Sequence, residues 1–120
     1  MGKILLVDDE EIVLKSISAL LSSEGHETTA MQSVPEALEA LKASAFDLII
    51  TDIRMAPVDG MELIRIVHGS RPSFPIIVIS AYTSDKIKKE GYALGCSAYL
   101  SKPFRVQDVL DAVDAALKKD

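Results

Sequence analysis

The sequence predicts an α/β fold, a single doubly wound (βα)5 domain whose five-stranded parallel sheet carries helices on both faces. Five short runs rich in Ile, Val and Leu alternate with longer stretches of helical spacing, the pattern of parallel strands joined by crossover helices. Some of those runs are apolar throughout rather than alternating, as strands covered on both faces must be. No linker, repeat or low-complexity segment divides the 120 residues, so they read as one domain over 1–120, large enough to bury a real core.

Lys3 to Val7 is apolar after its first residue and reads as a central strand. From Glu11, the residues Ile12, Val13, Ile17, Leu20 and Leu21 recur at helical spacing, and Gly25 is placed to close that helix. His26 to Met31 is weakly patterned and holds two Thr, which suits a peripheral strand. Ser33-Val34-Pro35-Glu36 is a helix start: Ser as N-cap, Pro in the first turn, Glu three residues on. Ala37, Leu38, Ala40 and Leu41 give that helix its apolar stripe.

Leu48 to Thr51 is the third strand and Pro75 to Ser80 the fourth. Between them lie a loop with Pro57 and Gly60, then a helix carrying Leu63, Ile64 and Val67. A weaker helix spans about 84–94 and contains Gly91, which either loosens it or is a surface glycine of no consequence. The fifth strand, about 97–101, leads to a last helix with Val106, Val109, Leu110, Val113 and Leu117.

Hydrophobic residues make up 48% of the chain and charged residues 26%, the balance of a soluble globular protein. No apolar stretch approaches the roughly 18 residues that would cross a bilayer. The chain enters a strand at once without a secretory leader, so a cytoplasmic location is expected. Cys96 is the single cysteine and is expected to be buried, in keeping with a reducing compartment. A net charge of −5 argues against nucleic acid and anionic membrane as partners. Lys86, Lys88, Lys89 and the Lys118-Lys119 pair read as solvated helix surface.

In open α/β sheets the binding crevice lies outside the carboxyl ends of the strands. The residues just past the apolar runs are Asp8-Asp9, Asp52, Ser80-Ala81 and Lys102. Each has an ordinary reading alone: a helix cap for Asp8, a turn for Asp52, a strand-end hydroxyl for Ser80, a surface charge for Lys102. Together they place several carboxylates beside an ammonium. Two carboxylates about 4 Å apart repel by roughly 4 kcal/mol at an effective dielectric of 20. A hard divalent cation, Mg²⁺ or alternatively Mn²⁺, with the ammonium removes that repulsion.

These motifs resemble the receiver domain of two-component response regulators, and the resemblance runs from the first strand to the last helix. It rests on Asp8-Asp9, on Asp52-Ile53-Arg54-Met55, on Ser80-Ala81, and on Tyr99-Leu100-Ser101-Lys102-Pro103-Phe104, in that order. The resemblance implies a flavodoxin-like topology and a phosphorylation-activated switch rather than a conventional enzyme. It implies that Asp52 accepts a phosphoryl group from a histidine kinase or phosphotransfer protein. Asp9, Asp52 and the Arg54 main-chain carbonyl would be direct Mg²⁺ ligands, with Asp8 acting through bound water. Lys102 would neutralise a phosphoryl oxygen, Ser80 would hydrogen-bond one, and the small Ala81 would admit the donor. Tyr99 would be the switch aromatic, turning inward as Ser80 moves. The Lys102-Pro103 bond would be cis. The fourth helix, fifth strand and fifth helix would bind a downstream target or a second copy of the chain.

The sequence departs from the family pattern in the loop after Asp52. Ala56 stands where a proline is usual and Pro57 comes one later, although Gly60 falls where the family has its glycine. Arg54 and Tyr82 occupy two positions that influence phosphate lifetime in this family. Two other readings share part of the pattern. A phosphatase of the haloacid dehalogenase type wants a second acid two residues after its nucleophile, where Arg54 stands. A flavodoxin-like binding protein needs a glycine- and hydroxyl-rich phosphate loop where Asp8-Asp9-Glu10 stands.

Overall fold

In a computed structural model that describes residues 2–118, five strands and five helices alternate along the chain. They are β1 (Lys3–Val7), α1 (Glu11–Ser23), β2 (Glu27–Met31), α2 (Val34–Ala43), β3 (Leu48–Thr51), α3 (Gly60–Ser70), β4 (Ile76–Ser80), α4 (Asp85–Leu94), β5 (Ala98–Ser101) and α5 (Val106–Leu117). All neighbouring strands pair in parallel in the order β2-β1-β3-β4-β5. Lys119, assigned from sequence to a solvated end, lies outside the described residues.

Side chains one residue apart on a strand face opposite sides of the sheet, and the core divides accordingly. Leu5, Val7, Ile49, Ile76, Val78 and Tyr99 face α2, α3 and α4, where Val34, Ala37, Leu63, Ile64 and Val67 meet them. Ile4, Leu6, Leu48, Ile50, Ile77 and Ile79 face α1 and α5, meeting Leu14, Ile17, Leu21, Val109 and Val113. Each such side chain contributes about 1.5–3 kcal/mol by leaving water. Ile12 and Val106 depart from the expected stripes and are exposed. Each lies in the first turn of its helix, at the edge where the strands have already ended.

Local chemistry sets the element ends. The amides of Gly25 and His26 donate to the carbonyls of Ser22 and Leu21, and Gly25 takes a φ of 89°, so α1 closes in the expected glycine turn. His26 thus belongs to the cap, and β2 begins one residue later than its pattern suggested. β2 is an edge strand, as its polar content implied, and its Thr28 hydroxyl lies 2.6 Å from that of Ser18. At α2, Ser33 Oγ accepts from the Glu36 amide at 3.3 Å, while Glu36 Oε1 accepts from the Gln32 amide at 3.1 Å. The reciprocal half of the capping box therefore lands one residue earlier than usual. β4 starts at Ile76 because Pro75 has no amide to give the ladder. Lys102-Pro103 is cis as expected, and Ala56-Pro57, in the shifted loop, is cis as well.

Candidate functional site

The strand order places β1 and β3 together at the centre, and β1 is where the chain's direction of travel across the sheet reverses. Val7 and Thr51 are partners in register, so Asp8 and Asp52 emerge side by side. The Asp52 amide donates to the Val7 carbonyl at 3.0 Å and the Asp8 amide to Met31 at 3.1 Å, extending the ladder into the site. On the far side the Lys102 amide donates to the Ser80 carbonyl at 2.9 Å. Backbone pairing fixes where these side chains start.

They converge on one ammonium. Lys102 Nζ lies 2.9 Å from Asp8 Oδ2, 3.0 Å from Asp52 Oδ2 and 2.7 Å from Glu10 Oε1. Burial works against the Lys102 charge, but the hydrogen bonds to Glu10, Asp8 and Asp52 outweigh it and hold the ammonium well above the ordinary lysine range. Asp8 is shifted the other way: burial raises its pKa despite the opposing bonds from Lys102 and the Glu10 amide, and the nearby Asp52 adds to the rise. The carboxyl thus carries an electrostatic deficit that Lys102 alone does not meet.

The remaining carboxylate oxygens are held too. Asp8 Oδ1 accepts from the Glu10 amide at 2.9 Å, and Asp52 Oδ1 accepts from the Ile53 amide at 2.6 Å. Asp8 therefore faces the candidate site and is not the cap of α1, whose N-cap is Glu10, with no side-chain cap bond. Asp8, Asp9, Glu10 and Asp52 each bring a carboxylate oxygen within 4.8 Å of the others. An all-oxygen set with uncompensated negative charge fits a hard divalent cation. Asp9 and Glu10 are exposed, leaving that side open to solvent.

Ser80 is fully buried, and its Oγ accepts from the Tyr82 amide at 3.0 Å. Ala81 is exposed beside it. Tyr99 is turned inward and buried, and its hydroxyl donates to the Tyr82 carbonyl. The Tyr82 backbone thus joins the two switch candidates. Its ring lies outside, 4.7 Å from the Arg54 guanidinium, so the two positions flagged for phosphate lifetime stack on each other.

Two glycines gain roles that sequence reading left open or missed. Gly91 is buried, not on the surface, and lies within a continuous α4. A Cβ there would lie 3.3 Å from the Tyr99 ring and 3.4 Å from Cys96 Sγ, so the missing side chain lets α4 settle onto β5. Gly60 stands against the site itself, where a Cβ would lie 1.9 Å from the Asp52 carbonyl oxygen. Glu10 was also missed as a partner of Lys102. Its place next to Asp8-Asp9 was the available signal, but its contact spans 92 positions of sequence.

Comparison with known proteins agrees with this architecture. The family model of the response regulator receiver domain matches residues 4–114. The response regulator protein FleR of Pseudomonas aeruginosa is 34% identical over 93% of this chain and 24% of its own length. The transcriptional regulatory protein YkoG of Bacillus subtilis is 29% identical over 99% of this chain and 52% of its own. The chain therefore spans about a quarter to a half of the length of these relatives. Among solved structures, the chemotaxis protein CheY4 of Vibrio cholerae is 31% identical with a TM-score of 0.91, covering 98% of this chain and 99% of that one. The receiver domain of the Francisella response regulator 1452 is 29% identical with a TM-score of 0.91, covering 98% and 97%. With its sheet order, its acidic strand ends and its Lys102, the chain belongs to the response regulator receiver family, whose general business is phosphorylation-dependent signalling in two-component systems.

Proposed function

We propose that Asp52 is the phosphoacceptor of this chain and that Lys102, Ser80 and Tyr99 read its state. The observation that carries this is the buried Asp52 carboxylate, 3.0 Å from Lys102 Nζ and within reach of three further acids. A carboxylate oxygen of Asp52 bonds to phosphorus while the bond from phosphorus to the donor breaks, and the electron pair leaves with the donor. In this family the donor is a phosphohistidine of a histidine kinase or phosphotransfer protein. Lys102 meets charge on the phosphoryl oxygens as a compact ammonium, and the Ser80 hydroxyl can donate to another of them. A bound Mg²⁺, or Mn²⁺, held by Asp9, Asp52 and the Arg54 carbonyl with Asp8 through water, would neutralise the remaining oxygen charge.

Ser80 reaching for the phosphoryl group would alter its bond with the Tyr82 amide, and Tyr82 in turn holds the Tyr99 hydroxyl. The modification is thereby felt at α4, β5 and α5, the face we assign to a downstream target or a second copy of the chain. A few kcal/mol of differential stabilisation suffices to reverse such an equilibrium. No described helix is long and apolar enough to cross a membrane. With one buried cysteine and an acidic surface, we place the chain in the cytoplasm without direct nucleic-acid contact. Incubation with acetyl phosphate and Mg²⁺, followed by mass spectrometry, tests the central step. One added phosphoryl group that vanishes in Asp52→Asn supports it. No mass gain, with no binding of beryllofluoride, refutes it.

A further inference from the structure

Three carboxylates crowd the Lys102 ammonium: Glu10 and Asp52 accept hydrogen bonds from it at 2.7 and 3.0 Å, and Asp8 pairs with it at 2.9 Å. Two of these acceptors are fixed in place. The Asp8 and Asp52 side chains are 6% and 8% exposed, and each has its other oxygen tied to a backbone amide. Glu10 differs. Its side chain is 60% exposed and has no hydrogen-bond partner besides Lys102 among the described residues, yet its contact is the shortest of the three at 2.7 Å.

A phosphoryl oxygen arriving on Asp52 needs one donor of Lys102, and the donor most easily released is the one Glu10 holds. We propose that Glu10 is a displaceable anion that occupies this donor until a phosphoryl group replaces it, and that it thereby slows phosphorylation by dianionic donors. This rests on Asp52 being the acceptor. Two physical effects act in the same direction. Glu10 competes for the hydrogen bond, and its charge stands at the open side of the site, where an anionic donor must approach. The exposure of Glu10 sets the scale, because exposed ion pairs are weak and screened by salt.

The test is Glu10→Gln, which keeps the length of the side chain and removes its charge. With saturating Mg²⁺, its initial rate of phosphorylation by acetyl phosphate should exceed that of the wild type by about two- to fivefold, the range set by an exposed ion pair. The gain should shrink as ionic strength rises. It should also be smaller with phosphoramidate, which carries less negative charge. As a readout independent of turnover, beryllofluoride should bind Glu10→Gln more tightly than the wild type, followed by amide shifts in NMR. A wild type that accepts phosphate and a Glu10→Gln that is equally fast, or slower, would overturn the role of Glu10 while leaving Asp52 as acceptor. A wild type that accepts no phosphate at all overturns the acceptor reading first.

Discussion

Gly60→Ala places one methyl group against the backbone of the proposed phosphoacceptor. The added Cβ would stand 1.9 Å from the Asp52 carbonyl oxygen, 2.9 Å from its carbonyl carbon and 3.1 Å from Ile53 Cα. Non-bonded carbon contacts settle near 3.5–4.0 Å, so the two segments must part by roughly 1.5 Å. No rotamer relieves this, because all three of these close neighbours are main chain. The separation also pulls on the Gly60 amide, which donates to the Ile53 carbonyl at 2.6 Å and pins the start of α3 to the loop. Gly60 does not have a positive φ, so the requirement is space, not backbone freedom. Alanine gains about 1 kcal/mol of helix propensity at most, and overpacking costs about 1–3 kcal/mol or more. With main chain on both sides the steric cost wins, and we expect a net loss of about 2–3 kcal/mol, a fall in Tm of roughly 6–15 °C for a domain of this size. Gly69→Ala is the control. It lies in the same helix with nothing within 4 Å of its added Cβ, and should be stabilised by up to about 1 kcal/mol. Thermal unfolding followed by circular dichroism compares the pair. Phosphorylation of Gly60→Ala should also slow, by as much as about 100-fold, because a carboxylate displaced by an ångström loses its alignment. If Gly60→Ala matched Gly69→Ala in Tm and the wild type in phosphorylation rate, the reasoning from close approach would be wrong.

Lys102→Met would leave the buried Asp8 and Asp52 without their cation. Removing one partner of a buried pair costs about 3–5 kcal/mol, and we expect a loss of that order at pH 7. Urea unfolding with and without Mg²⁺ checks this, with the metal recovering part of the loss. Burial pushes the Cys96 thiol from 9.0 up to about 11, so the folded chain favours the protonated form. The associated stability is intact below about pH 9 and is lost as pH rises toward 11, where only the unfolded chain ionises at first, by at most about 3 kcal/mol. The urea midpoint should therefore fall less steeply over that window in Cys96→Ala, and native Cys96 should resist alkylation at pH 8.

The fold was legible because its signals are local and repeated. Runs such as Leu48–Thr51 are apolar on both faces, and that excludes an antiparallel edge or a surface strand. Ser33 and Gly25 announce element ends through groups they own: a hydroxyl and a missing Cβ. The errors fell where exposure depends on what lies beyond the strand ends. Ile12 and Val106 continue the helical spacing of buried stripes, and spacing alone cannot say that the sheet has stopped beneath them. In the site, Asp8, Asp52 and Lys102 were visible because each ends an apolar run. Glu10 ends nothing and needed the position of a lysine 92 residues away.

Gly91 shows why the switch half of such a domain is harder to read than its chemical half. Phosphoryl chemistry needs particular atoms, so its residues are marked by type. Coupling needs only that a side chain in one place leave room for another. Tyr99 can lie inward because Gly91 withholds a Cβ that would press its ring, and because the Tyr82 carbonyl takes its hydroxyl. Neither condition has a sequence signature, since one is an absent atom and the other a backbone oxygen. Close packing makes such an arrangement discrete: a Tyr99 that swung outward would vacate the space over Gly91 and Cys96, and α4 would have to follow it or leave a void beneath. The inward ring and the seat of α4 are therefore one state of the molecule, tied through Tyr82 and Ser80 to the strand end beside Asp52.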